Sequence, residues 1–409
     1  MAPMTRSNAR IARFAVFAVI LIISGFILSK GSSYTAGSAS LAPAVQKGTV
    51  SDSGAPAAGV PPAEVKNAAE PGAVKAPTDK EIAKDKISAT FVSLARNSDI
   101  DSLLGSIRQV EDRFNKKFKY DWVFLNDQPF SEEFKEITTA AVSGKTKYGL
   151  IPVEQWSYPD HIDQEKAALS REKMVQENVI YGGSVSYRHM CRYESGFFWR
   201  HELMMDYEYY WRVEPDVKIY CDIDYDIFKW MKDNDKAYAF TISLPEYDKT
   251  IPTLWQETKK FTDANPQFLA ENNMLDWISN DKGQTYNGCH FWSNFEIASL
   301  KFWRSEAYTK YFEHLDAAGG FFYERWGDAP VHSIAASLFL NRDKVHFFED
   351  VGYYHVPFHN CPVDKATRIA KNCVCNPNED FSWRPHSCTP RYYSLKGLKR
   401  PSGWENFSS

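Results

Sequence analysis

The sequence predicts an α/β domain with parallel strands over residues 86–409, preceded by a membrane anchor and an unstructured stem. Three observations carry this reading. Buried-type strands and amphipathic helices alternate from Ile87 onward, the pattern of strand–helix–strand units. An aromatic strand ends directly in an acidic pair, Glu214-Pro215-Asp216. Ahead of the domain, one apolar run leads into a segment nearly free of aromatic residues.

The N-terminus sets the compartment. Arg6, Arg10 and Arg13 precede the uncharged run 14–28, "FAVFAVILIISGFIL". It is shorter than the roughly 20 residues that cross an average bilayer. A cleaved signal peptide is the rival reading, and the small residues of "SKGSSYTAGSASLA" suit cleavage. The uncleaved anchor is preferred. Basic residues before the span then keep residues 1–13 cytoplasmic and the rest lumenal. The short span suits the thinner membranes of the early secretory pathway. Residues 29–85 are rich in Ala, Gly, Ser, Pro and Val, with Tyr34 the sole aromatic. Such a segment buries too little surface to offset its ordering entropy, so a flexible stem is expected.

A formal charge of −4 and a pI near 6.2 leave no basic footprint for nucleic acid. The seven cysteines, in an oxidising lumen, should mostly pair with one left over. The spacing Cys373-x-Cys375 is not the usual C-x₂-C of zinc sites, so disulfides are favoured there. Asn406-Phe407-Ser408 is a glycosylation sequon at the extreme C-terminus. Familiar enzyme motifs fail. Ser143-Gly144-Lys145-Thr146 lacks the first glycine of a P-loop, since Thr139 stands there. His201-Glu202 lacks the second histidine of a zinc-protease helix, since Met205 stands there.

In chain order, "ISATFVSLA" (87–95) reads as a buried strand and Asn97-Ser98-Asp99 as a turn and helix cap. Ile100, Leu103, Leu104, Ile107 and Val110 form one helical face. "YDWVFLN" (120–126) reads as a second strand, and "SEEFKEITTAAV" (131–142) as a helix capped by Ser131. Ligands of such sheets sit beyond the strand carboxyl ends. Arg96, Asn97, Asn126 and Asp127 are therefore candidates for nucleotide contact, with ordinary turn and capping roles as the alternative. "YEYYWRV" (207–213) reads as a central strand, stopped by Pro215. That places Glu214 and Asp216 at the carboxyl edge. Asp222, Asp224 and Asp226 instead lead into the helical "IFKWMKDND", where acids favour the helix start without a metal. Glu214/Asp216 is the preferred metal pair. Carboxylates with phosphate oxygens suit Mg²⁺ or Mn²⁺, and an added imidazole favours Mn²⁺.

The segments "GGSVSYRHMCRYESGFFWRHELMMDYEYYWRVEPDVKIYCDIDYDIFKWM", "YNGCHFWSNFEIASL", "DAPVHSIAASLFL" and "VGYYHVPFHNCPVD" resemble the fungal Golgi α-1,2-mannosyltransferases of glycosyltransferase family 15. The resemblance covers most of residues 86–409, in order. It implies a GT-A-like fold with a mixed sheet flanked by helices, GDP-mannose as donor, and Mn²⁺. It also implies transfer with retention to mannose-terminated glycoprotein glycans, O-linked or N-linked, at the Golgi membrane in the type II orientation. By the same resemblance Glu214 and His355 bind the metal. Glu296 is then the nucleophile or the carboxylate that stabilises the oxocarbenium ion, and Tyr187 lines the donor-sugar site.

The chemistry needs such parts independently. A carboxylate near the anomeric carbon stabilises positive charge or forms a glycosyl intermediate. The bland reading of Glu296 is an exposed acid on an amphipathic helix "NFEIASLKFW". Trp292, Tyr353, Tyr209 and Trp211 are candidates for stacking on sugar, against the default of core packing. Arg212 is either a phosphate contact or an ion-pair partner of Glu214. Asp328 is an acceptor-site candidate or a helix cap before Pro330. Two rivals remain: a mannosylphosphate transferase or other mannosyl linkage on the same fold, and a non-catalytic lumenal glycan-binding protein.

Overall fold

The computed structural model describes residues 86–408. The expected tail, anchor and stem lie outside the described residues. Among the described residues no helix is long and apolar enough to cross a membrane.

The predicted alternation forms. Strand β1 (Ala89–Leu94) leads through a short turn into α1 (Ile100–Val110), whose Leu103, Ile107 and Val110 are buried at helical spacing. The turn is held by Asp99, whose carboxylate accepts the Arg96 backbone N–H at 3.0 Å. Strand β2 (Asp121–Asn126) and α2 (Glu132–Ala141) follow, and Ser131 caps α2 by accepting the Phe134 N–H at 3.1 Å. Next come β3 (Thr146–Leu150), α3 (Val185–Gly196), β4 (Tyr209–Val213) and β5 (Lys218–Ile219). Asp226 caps α4 (Ile227–Asp233) at 3.1 Å from the Phe228 and Lys229 N–H groups, as acids at a helix start should.

Beyond α4 lie β6 (Tyr238–Phe240), β7 (Ser243–Pro245), β8 (Cys289–Phe291) and β9 (Phe295–Ser299). Here the structure corrects the sequence: "NFEIAS" is a strand rather than the start of an amphipathic helix. Its residues alternate with period two. Phe295 and Ile297 enter the core around Trp211, with the Phe295 and Trp211 rings 5.1 Å apart, while Ala298 enters the opposite core. The chain continues through α5 (Asp328–Phe339), β10 (Val345–Phe347), β11 (Tyr353–His355) and β12 (Phe358–Asn360).

The main sheet has seven strands in the order β10-β6-β9-β4-β1-β2-β3. The pairs β1–β2, β2–β3, β1–β4 and β6–β10 are parallel. Strand β9 runs antiparallel to both its neighbours, β4 and β6. The sheet is therefore mixed, and aromatic-rich cores pack on both its faces. A small antiparallel sheet, β12-β11-β5, stands beside it. Its function is positional: pairing Tyr353 with Ile219 brings His355 to the segment just after β4.

Three disulfides form: Cys221–Cys373, Cys289–Cys388 and Cys361–Cys375. Cys191 is the free, buried seventh.

Candidate active site

A cleft of about 480 Å³ opens at the carboxyl ends of β1, β2 and β4. Arg96, Asn126 and Asp127 line one side, and Glu214, Asp216 and His355 the other. Tyr181 and Tyr187 form part of the remaining wall. The expected nucleotide edge and the expected metal pair therefore face the same space.

Glu214 Oε2 and His355 Nε2 converge to 3.5 Å. His355 Nδ1 lies 3.3 Å from the Val356 carbonyl. Donation of that N–H leaves Nε2 as the free lone pair, the tautomer a metal requires. Burial works against charge on both groups, yet their partners outweigh it. Arg212 and then His355 hold Glu214 down at about 2, and Glu214 raises His355. A carboxylate oxygen and an imidazole nitrogen are a donor set that Mn²⁺ accepts. Among the described residues no group of three or more His, Cys, Asp or Glu side chains is arranged around one metal position. The remaining coordination positions would fall to phosphate oxygens and water.

Asp216 is exposed at the cleft rim with φ +62°, a left-handed conformation that Asp tolerates better than most residues. The other acidic pair has a different task. Asp222 accepts from Arg113 at 2.5 Å and Asn372 at 3.0 Å, and Asp224 from Lys371 at 2.5 Å. These acids tie down the C-terminal segment rather than bind at the cleft.

Behind the metal pair sits a buried charge cluster. Arg212 meets Glu214 and Asp328 at 2.5 Å each, and Glu194 at 3.9 Å. Of the two roles expected for Arg212, the ion pair with Glu214 is formed, and the residue also lines the cleft. Asp328 is the first residue of α5, with Gly327 at the cap position, so it is not the cap. Its carboxylate takes Arg212 and the Ser293 hydroxyl, the latter at 2.8 Å. The Arg212 guanidinium is shared by three acids. Burial pushes Glu194 up to about 7 despite Arg212, while Arg212 and His332 hold Asp328 low against its own burial.

Glu296 is fully buried and is not among the cleft-lining residues. It accepts hydrogen bonds from Tyr210, from Tyr238 at 2.8 Å and from His332 at 2.9 Å. Tyr187 does line the cleft. Its ring stacks on Tyr181 at 4.5 Å, and the Arg325 guanidinium lies 5.1 Å from its centre. The aromatic candidates are mostly structural. Tyr353 is 1% exposed with its hydroxyl on Asn294, 3.0 Å away, and Tyr209 and Trp211 lie in the core. Trp292 packs against His355, their rings 5.1 Å apart.

Sequence reasoning missed several neighbours of the site. Glu194 and Cys191 were within reach, since Tyr187, Cys191 and Glu194 recur at one-turn spacing along α3. Nothing local pointed to Tyr181, to Arg325, or to Glu246, which lies 3.9 Å from Arg325.

A family model described as glycolipid 2-alpha-mannosyltransferase matches residues 58–397. The chain belongs to this family. Glycolipid 2-alpha-mannosyltransferase 1 of Candida albicans is 64% identical, covering 99% of each chain. Alpha-1,2 mannosyltransferase KTR1 of Saccharomyces cerevisiae is 63% identical over 78% of this chain and 81% of its own. Core-mannan synthase A of Aspergillus fumigatus, crystallised in a Mn/GDP form, is 43% identical with a TM-score of 0.72. That alignment covers 77% of this chain and 86% of the other. The chain is thus a glycosyltransferase of the mannosyltransferase family, and the mixed α/β fold is that of its solved members.

Proposed function

We propose that the protein transfers mannose from GDP-mannose to the 2-hydroxyl of a terminal mannose on a glycan, forming an α-1,2 bond with retention. The observation that carries this is the Glu214–His355 pair, set where β4 ends and facing a cleft bounded by the ends of β1 and β2. Ligands of α/β sheets bind at such edges. The names of the relatives support mannose as the group transferred and α-1,2 as the linkage.

Glu214 and His355 would hold Mn²⁺, which when bound neutralises the charge of the departing diphosphate. Asp216, exposed at the rim, faces the same diphosphate position. Arg96, Asn126 and Asp127 receive the nucleoside end. Tyr187 presents its ring and hydroxyl beside the sugar. The C1–O bond to GDP breaks and the bond from the acceptor O2 forms on the same face. The acceptor proton passes to the leaving phosphate, so the balance needs no protein base. The buried position of Glu296 favours this route over a covalent glycosyl-enzyme. The N-terminal arginines and apolar run support a type II Golgi membrane protein with a lumenal catalytic domain. The disulfides fit an oxidising lumen.

The test is transfer by the 86–409 fragment from GDP-mannose to methyl α-mannoside, with Mn²⁺ or with EDTA. Product linkage is read by NMR. A metal-dependent α-1,2 disaccharide is expected. A mannosylphosphate product, another linkage, or GDP binding without turnover would each sink the reading in favour of its named rival.

A further inference from the structure

We infer that His332 is a positioning residue of the transfer reaction: as an imidazolium it locks Glu296 and pins the Tyr187-bearing helix to the rest of the site, and Glu296 acts through that lock instead of meeting the sugar. The inference rests on the transfer reaction proposed above.

His332 is 0% exposed, on α5 one turn after Asp328. Its Nδ1 lies 2.9 Å from Glu296 Oε2 and its Nε2 lies 3.1 Å from the Glu194 backbone carbonyl. The Glu194 carbonyl only accepts, and so does the Glu296 carboxylate when ionised, whereas neutral imidazole has a single N–H. With Glu296 ionised, the two contacts are satisfied together when both ring nitrogens carry protons; a protonated Glu296 with a singly protonated ring is the alternative that nitrogen-15 NMR separates. The groups facing His332 agree. Glu296 from β9 and Asp328 from its own helix favour the charge, while Arg212 from β4 opposes it. Glu194 of α3 offers its carbonyl, and its own carboxylate, which burial pushes up to about 7, also interacts with His332. The neutral faces are Trp303 at 4.3 Å, Tyr308 at 6.0 Å and Phe198 at 6.5 Å between ring centres. Burial acts against the imidazolium, but the carboxylates outweigh it and its pKa is raised.

Glu296 is correspondingly spent. It accepts from two tyrosines and one imidazolium. Attack on a sugar would require shedding donors in a dry site, leaving buried polar groups unpaired. The lock also has reach. Glu194 shares a face of α3 with Tyr187, and Glu296 pairs across the sheet with Arg212 in register. His332 therefore joins the tyrosine helix, the Asp328 helix and the strand beside the metal strand through two hydrogen bonds.

The purified full-length chain is compared with His332→Gln, whose amide nitrogen reaches one of the two acceptors but does not span both. We expect kcat to fall roughly 10- to 100-fold, the effect of losing an outer-shell partner, with GDP affinity and the KM for GDP-mannose within about threefold. The wild-type rate should fall as pH rises through the raised His332 pKa, above the ordinary value of about 6.5, and this limb should vanish in His332→Gln. Nitrogen-15 NMR of histidine-labelled wild-type protein gives a reading independent of turnover. The resonance missing from His332→Gln should show both ring nitrogens protonated at pH 7.5. A singly protonated ring, wild-type kcat in His332→Gln, or joint loss of turnover and GDP binding overturns the inference. So does a trapped mannosyl ester on Glu296. If wild-type protein transfers no mannose, the reaction assignment fails and the NMR result alone decides the lock.

Discussion

On one side of the cleft, the Arg96 side chain is 70% exposed and answers to a single aspartate, Asp99. On the other, Arg212 is 7% exposed and answers to Glu214, Asp328 and Glu194. Both are arginines at strand carboxyl ends, and their surroundings set them different tasks. The exposed one makes contacts that water or a nucleotide can replace at little cost. The buried one fixes carboxylate positions before any substrate arrives. On the proposed assignment, preorganisation belongs to the metal wall and exchange to the nucleotide wall.

This contrast orders the consequences of breaking each part. Glu214→Ala and His355→Ala should lower transfer most, by roughly 10²- to 10⁴-fold, the several kcal/mol a metal ion supplies to a developing charge. Their kcat should no longer respond to added Mn²⁺, and a retained response would show that the metal is held elsewhere. Arg212→Met should come next, and its effect should be on folding. Removing the guanidinium leaves Glu194 and Asp328 buried without their shared arginine, at about 3–5 kcal/mol, read as a lower urea midpoint without metal or donor. Tyr181→Ala removes a stacking partner worth about 0.5–1.5 kcal/mol. Turnover should drop severalfold while the urea midpoint stays put. Arg96→Ala should change stability by less than about 1 kcal/mol, as exposed pairs do, and raise the KM for GDP-mannose modestly. If Arg96→Ala destabilised the protein more than Arg212→Met, the division between the two walls would be wrong.

The nucleotide wall was legible in the sequence because its parts are local. Strand, turn, cap and helix follow one another between Ile87 and Val142, and each is announced by its own periodicity. Glu214 was legible for a similar reason, since a proline after an aromatic strand marks where the sheet ends. The metal wall resisted. Arg212, Asp328 and Glu194 come from different elements, and only tertiary packing reveals that they share one charge balance. Glu296 misled for the opposite reason. Family resemblance marked it as chemically important, and helical spacing offered an exposed position. The strand buries it among donors that lie far away in sequence. Tyr353 and Trp211 have the composition of sugar platforms, but a chain this rich in aromatics uses most of them to fill its two cores.

The small sheet that carries His355 has a consequence in the order of synthesis. Glu214 emerges from the ribosome long before its partner. The partner strand β11 docks on β5, and Cys221–Cys373 and Cys361–Cys375 then fasten the ribbon that holds it. A nascent chain therefore carries a nucleotide-shaped groove and half a metal site. On the proposed metal assignment, competence arrives only when the segment bearing Cys373 and Cys375 has been delivered and oxidised. An unfinished or reduced molecule would be recognisable to the cell by what it does not do.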